Sequence, residues 1–214
     1  MQHLKQLLQN YRNTRTRFKL DLTLDECNEL LETAYIAEVE QRRFQFSGDD
    51  NTINIINQAA KWLTTNDKFG LMLMGAPGNG KTTLTRAIMS LISVMQLHEE
   101  VGQSMYRSLS LKICTAKDLV RLAQKDWKIY RELVDTSMLA IDDLGEEAVD
   151  VMDYGNIINP VIDALSYRYN AQRFTIVSTN LPNSQIRHDY GDRIADRLNE
   201  MMQVIVFTNP SFRK

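Results

Sequence analysis

The sequence predicts a wound α/β fold on three observations: short apolar runs recur along the chain, helix-like segments separate most of them, and a glycine-rich turn joins the first run to the helix after it. Residues 71–74, Leu-Met-Leu-Met, lie between Gly70 and Gly75, the form of a strand buried on both faces of a parallel sheet. Runs at 109–114, 138–141, 174–178 and 204–207 bring the predicted strands to five. Helices are expected over 81–95, 116–134 and 157–169, with Pro160 near the start of the last, where a missing N–H is tolerated.

The chain opens with a charge dipole. Residues 1–20 carry Lys5, Arg12, Arg15, Arg17 and Lys19 and no acid, whereas 21–40 carry Asp21, Asp25, Glu26, Glu29, Glu32, Glu38 and Glu40. Leu30, Leu31, Ala34, Tyr35 and Val39 recur at helical spacing and predict a helix over 25–44. Ser47, Gly48, Asp49, Asp50 and Asn51 favour turns and caps, so a boundary is placed there. It divides a helical N-terminal segment, 1–46, from a core domain, 51–214, which begins with an amphipathic helix over 53–65.

With 25 basic and 27 acidic residues the formal net charge is -2, and the whole-chain charge demands no polyanionic partner. No apolar run approaches the ~20 residues of a membrane-spanning helix, and the first ten residues lack a secretory apolar core. Cys27 and Cys114 have neither metal-ligand spacing nor a disulfide framework. A soluble cytoplasmic protein is expected.

Gly75, Ala76, Pro77, Gly78, Asn79, Gly80, Lys81 and Thr82 satisfy G-x-x-x-x-G-K-[ST] in full, directly after a predicted strand and before a predicted helix. Glycines let several backbone N–H groups surround a phosphate, and the positive end of the following helix faces the same anion. Lys81 is expected at the β and γ phosphates and Thr82 at a Mg²⁺ ion, with Thr83 completing the nucleotide-contacting stretch. The cofactors implied are ATP and Mg²⁺. A GTP preference is not expected, because no Asn-Lys-x-Asp segment is present; adenine recognition is expected near residues 51–56.

The run at 138–141 ends in Asp142 and Asp143, which puts two carboxylates at the edge of the sheet where the phosphate loop also lies. Asp142 is the candidate Mg²⁺ ligand, and Asp143 the candidate to orient and polarise an attacking water. The strand expected at 109–114, with its own helix, intervenes in sequence between the phosphate loop and Asp142. The two motif strands therefore need not be neighbours in the sheet.

This order of residues resembles the AAA+ superfamily of P-loop ATPases, and within it the DnaC/IstB-like branch of helicase loaders and transposition ATPases, over residues 51–214. The resemblance makes 175–180 the sensor 1 strand, ending in Asn180 as the group that meets the γ phosphate or the water. It makes 191–198 the arginine-finger segment, with Arg197 at the matching position and Arg193 four residues earlier on the same face as the alternative; such a finger acts on a neighbouring subunit. Both arginines have a plainer reading as surface partners of Asp189, Asp192, Asp196 or Glu200. Most of the superfamily has glutamate where Asp143 stands, with Glu146 or Glu147 nearby as helpers here, so slow, assembly-dependent hydrolysis is implied. Little chain follows the fifth predicted strand, and the superfamily's C-terminal helical lid is not expected; the loader branch lacks it too. Ser211, Phe212 and Arg213 resemble that branch's C-terminal motif.

The clients follow from the same resemblance. In loaders the N-terminal module grips a replicative helicase, and residues 1–46 occupy that place. Arg121, Lys125, Trp127, Lys128, Tyr130 and Arg131 interleave bases with aromatics as single-stranded DNA binders do, and equally suit an amphipathic helix with Trp127 and Tyr130 packed inward. The leading expectation is a replicative helicase loader that forms a homo-oligomer on ATP or DNA. An IstB-like transposition helper, a small-molecule kinase and an ATP-bound scaffold with little turnover are the alternatives.

Overall fold

The computed structural model describes residues 1, 2, 4–6, 17–65, 67–100, 106–153 and 156–212. In chain order its elements are α1 (Leu24–Gln41), α2 (Asp50–Thr64), β1 (Gly70–Gly75), α3 (Lys81–Val94), an antiparallel pair β2 (His98–Glu100) and β3 (Tyr106–Ser108), β4 (Leu111–Thr115), α4 (Ala116–Lys125) and α5 (Trp127–Val134). There follow β5 (Met138–Leu144), a second antiparallel pair β6 (Val151–Asp153) and β7 (Asn156–Ile158), α6 (Pro160–Asn170), β8 (Phe174–Thr179), α7 (Asn183–Tyr190), α8 (Asp192–Met201) and β9 (Met202–Phe207). Five strands form one sheet in the order β4-β5-β8-β1-β9, and every neighbouring pair is parallel.

Strand alternation sorts the core into two layers, one on each face of the sheet. Leu71 and Leu73 point to the face covered by α1, α2 and α3, where Leu31, Ile55, Leu63 and Ile88 pack. Met72, Leu139, Ile141 and Val177 point to the other, against Leu119, Tyr130, Leu165 and Leu198. Arg168 is fully buried in that second layer. Its guanidinium donates to Thr175 Oγ1 and to the carbonyls of Val134, Thr136 and Phe174, which ties α6 to the ends of α5 and β8. Burial pushes its pKa down to about 9, and Arg173 adds to the effect.

Several expectations are refined. Helix α1 is set by a Thr23/Glu26 capping box, and its Cys27, Leu31 and Tyr35 are buried in the same cluster as β1. The residues at 47–49 connect α1 to α2, and both helices contribute to this cluster. Residues 7–16 lie outside the described residues. The helix expected over 116–134 breaks at Asp126: its backbone is extended (φ -153°, ψ 93°), its N–H closes α4 on Leu122 O, and its carboxylate caps α5 by accepting from Ile129 N. Helix α6 starts at Pro160, later than expected, because residues 156–158 pair with 151–153. The strand that separates β1 from β5 is β8, whereas the run at 109–114 forms the edge strand β4.

Candidate functional site

The parallel register brings Gly75, Thr115, Asp142 and Thr179 to one edge of the sheet. Beyond β1 the chain turns through Gly78 and Gly80 at positive φ and enters α3 at Lys81. Gly80 is required twice over: its φ is +102°, and a Cβ there would sit 2.5 Å from the Tyr35 hydroxyl. The buried Lys81 ammonium donates to Gly75 O at 2.6 Å, Ala76 O at 2.8 Å, Asn180 Oδ1 at 2.9 Å and Asn79 Oδ1 at 3.2 Å. Asn79 in turn donates to Phe207 O at 3.1 Å, so the loop is anchored to β9.

The β5–β8 ladder shifts register between Ile141 and Leu144, a bulge that falls on the two aspartates. Asp142 is buried and accepts from Thr82 Oγ1 at 2.9 Å and from the Ser178 hydroxyl. Asp143 adopts φ +57°, left-handed backbone that aspartate tolerates better than most residues, and its N–H donates to Ser178 Oγ at 2.9 Å. Ser178 thus positions both acids, a role that sequence reading missed because the pairing of β5 with β8 is not written in either strand. Asp143, Glu146 and Asn180 line the cleft together with Lys81 and Thr82. Glu146 is paired with Lys117 at 2.9 Å. Glu147 is directed elsewhere, accepting from the Tyr190 hydroxyl and from Gly145 N at 2.9 Å.

The cleft holds about 450 Å³, within the usual range of small-ligand sites. Its other wall is supplied by the end of α1 and the turn after it: Tyr35, Val39, Arg42, Phe44 and Phe46, with Thr52 behind. Adenine recognition was expected from residues 51–56, but Asn51 is engaged with Thr208 Oγ1 at 2.6 Å and Asn209 Oδ1 at 2.9 Å, and of that stretch only Thr52 reaches the cleft. Phe44 and Phe46 just ahead of the turn were the unused signal. The chain returns after β9, where Phe212 N donates to Gly78 O at 2.9 Å and the Phe212 ring joins the lining. Arg213 lies outside the described residues.

Arg193 and Arg197 are on α8 and do not line this cleft. The acids expected as their surface partners are engaged otherwise: Arg187 holds Asp192 and, at 2.8 Å, Asp196, Asp189 meets His188 and Gln185, and Glu200 accepts from the Tyr169 hydroxyl at 2.5 Å. Arg197 lies over the Tyr169 ring, 5.0 Å from its centroid. In the basic-aromatic stretch, Tyr130 is 0% exposed with its hydroxyl on Pro160 O at 2.7 Å, which removes it as a base-stacking surface. Arg131 lies over Tyr167, whereas Trp127 stays 48% exposed.

A family described as magnesium chelatase, subunit ChlI, matches residues 55–128, which hold β1, the phosphate loop and α3. No curated protein matches the sequence. Among solved structures the chain is similar to the DnaC helicase loader, at 21% identity and TM-score 0.58, covering 76% of this chain and 93% of that one. It is similar to DnaI at 23% identity and TM-score 0.59, with 78% and 87% covered. The fold is that of the AAA+ ATPases. AMPPCP-bound DnaA from Aquifex aeolicus shares it more distantly, at 14% identity and TM-score 0.51, covering 78% of this chain and 49% of that one. Within this AAA+ fold the strand between the two motif strands is the one that ends beside Asn180, which is why a single lysine meets the loop and β8 together. No described helix is long and apolar enough to cross a membrane.

Proposed function

We propose that this protein is an ATP-binding, ATP-hydrolysing DNA-replication protein of the helicase-loader kind, one that assembles on single-stranded DNA in its ATP state. The observation that carries the reading is the convergence of Lys81, Thr82 and Asn180 on one cleft at the carboxyl edge of the sheet, with Asp142 accepting from Thr82 behind them.

The residues fit a magnesium nucleotide. Gly75 to Thr83 offer backbone N–H groups and a helix start to the phosphates, and the oxygens that hold Lys81 are ones that phosphate oxygens can replace. Thr82 and Asp142 present a hydroxyl and a carboxylate oxygen 2.9 Å apart, the hard oxygen donors that Mg²⁺ takes alongside substrate phosphates and water. Among the described residues no cluster of three His, Cys, Asp or Glu could hold a metal by itself, which suits an ion shared with its substrate. When bound, the ion supplies charge neutralisation at the phosphates. Asp143 orients the water and takes its proton, and Asn180 couples the γ phosphate end to Lys81. A carboxylate on the shorter aspartate arm favours slow hydrolysis that depends on assembly.

Arg197, or Arg193 beside it, is the finger offered to the cleft of a neighbouring copy; that neither lines its own cleft supports an action in trans. Single-stranded DNA is met by Arg121, Lys125, Trp127 and Lys128 around the α4–α5 break, without Tyr130. The replicative helicase is met through residues 1–46, of which α1 presents only its outer face. The test is binding to labelled single-stranded DNA with ATP, with ADP and without nucleotide over a salt series. Binding that needs ATP and weakens steeply with salt is the predicted result; no binding in any state sinks the DNA part of the reading.

A further inference from the structure

We infer that Arg42 is a second phosphate-binding cation of the nucleotide site, supplied by the end of α1 and directed at the base-proximal part of the phosphate chain; the inference rests on the nucleotide reading of the same cleft. Four observations carry it. Arg42 caps α1 and lines the cleft, and Arg42 and Lys81 are the only cations among the described lining residues. Its guanidinium donates through Nη1 to Thr83 Oγ1 at 3.2 Å, one residue past the expected magnesium ligand and within the first turn of α3. Among the described residues no carboxylate is within ion-pair distance of it: Glu38, one turn back on α1, is buried and accepts from Ser90 Oγ at 2.9 Å. The guanidinium therefore stands in the cleft with one neutral partner and donors to spare.

Charge balance points the same way. A magnesium triphosphate carries about two negative charges near neutral pH, and a site that sets Lys81 alone against Asp142, Asp143 and Glu146 is short of positive charge. Glu146 is offset by Lys117, and Arg42 supplies one of the positive charges the site still wants. The planar fork of arginine suits phosphate oxygens, and pairing with an ionised oxygen strengthens each hydrogen bond. Position sets which phosphate. Lys81, Thr82 and Asn180 mark the γ end of the cleft, and Phe44 and Phe46 its aromatic end. Arg42 reaches Thr83, one residue past Thr82, and leads along the chain into Phe44 and Phe46. Tyr35 against Gly80 and Glu38 on Ser90 dock α1 along the phosphate loop and α3, so the cation rides on a fixed element.

The test is equilibrium titration of full-length protein with fluorescent ADP and ATP in the presence of Mg²⁺, comparing wild type, Arg42→Ala, Arg42→Lys and Lys81→Ala. Arg42→Ala is expected to weaken ADP and ATP alike by about tenfold, with the nucleotide-free melting temperature unchanged, and Arg42→Lys to recover part of the loss. Wild-type affinity in Arg42→Ala, while Lys81→Ala loses binding, overturns this inference and leaves the nucleotide reading intact. A loss for ATP but not for ADP also overturns it, since that places the contact at the γ phosphate. Failure of the wild type to bind either nucleotide removes the nucleotide reading and this inference together. Should Arg42→Ala not fold, Arg42→Lys decides: it keeps the charge and the apolar stem, and unchanged affinity in that variant counts against the fork contact.

Discussion

Asp143 holds the least ordinary backbone among the acids of the cleft, and its left-handed φ of +57° is what lifts its carboxylate out of the pleat beside Asp142. Asparagine tolerates the same conformation, so Asp143→Asn removes the charge without the strain that a β-branched residue would bring. The variant is expected to fold and bind ATP as wild type does while losing hydrolysis by about a hundredfold or more, measured as single-turnover phosphate release. Equal turnover in the variant would move the water-orienting role to Glu146. At this scale the sequence was most legible where one contiguous string carries the chemistry, as Gly75 to Thr83 does. It was least legible for Ser178 and Arg42, because each reaches its partner across strand or helix pairings that no local pattern encodes.

Asp49 shows how one cap joins elements far apart in the chain. Its carboxylate accepts from Thr52 N at 3.0 Å and from Thr52 Oγ1 at 2.7 Å at the start of α2, and from Asn209 Nδ2 at 3.0 Å after β9. Burial works to raise its pKa, but the Thr52 and Ser47 hydrogen bonds outweigh it and hold the group below the ordinary carboxylate range. A depressed folded pKa contributes stability that is present above the unfolded value and is lost as pH falls through the folded one. Asp49→Ala is therefore expected to cost about 1 kcal/mol near neutral pH in urea unfolding, with the gap to wild type narrowing in acid below the carboxylate range. A gap that is independent of pH would contradict the ionised cap. Apolar periodicity located the five sheet strands and the phosphate-loop helix well. It ran two helices together at Asp126 and gave no sign of α7, a short polar helix that follows turn residues. Those boundaries are set by caps and by pairing, not by apolar spacing.

For the whole molecule, the sheet order places β8 between β1 and β5, so that loop, acids and Asn180 share one edge, while the arginines of α8 do not line the cleft there. That separation predicts activity that belongs to an assembly. Arg197→Ala is expected to bind ATP normally and to hydrolyse it poorly, and mixing it with an Asp142→Ala subunit should restore part of the turnover, since each supplies what the other lacks. Absence of any recovery counts against a finger acting between copies. The five parallel strands could be read in advance from alternating runs; which strand lay between the motif strands could not, because strand order depends on crossovers rather than on composition.

The whole reading stands on backbone amides and one lysine at the start of α3 that grip a triphosphate. ATP binding and turnover by Lys81→Ala, measured beside the wild type with Mg²⁺, tests it most directly. The wild type is expected to bind and hydrolyse ATP, and the variant to lose affinity or turnover by about a hundredfold or more. A variant that hydrolyses ATP at the wild-type rate would contradict it.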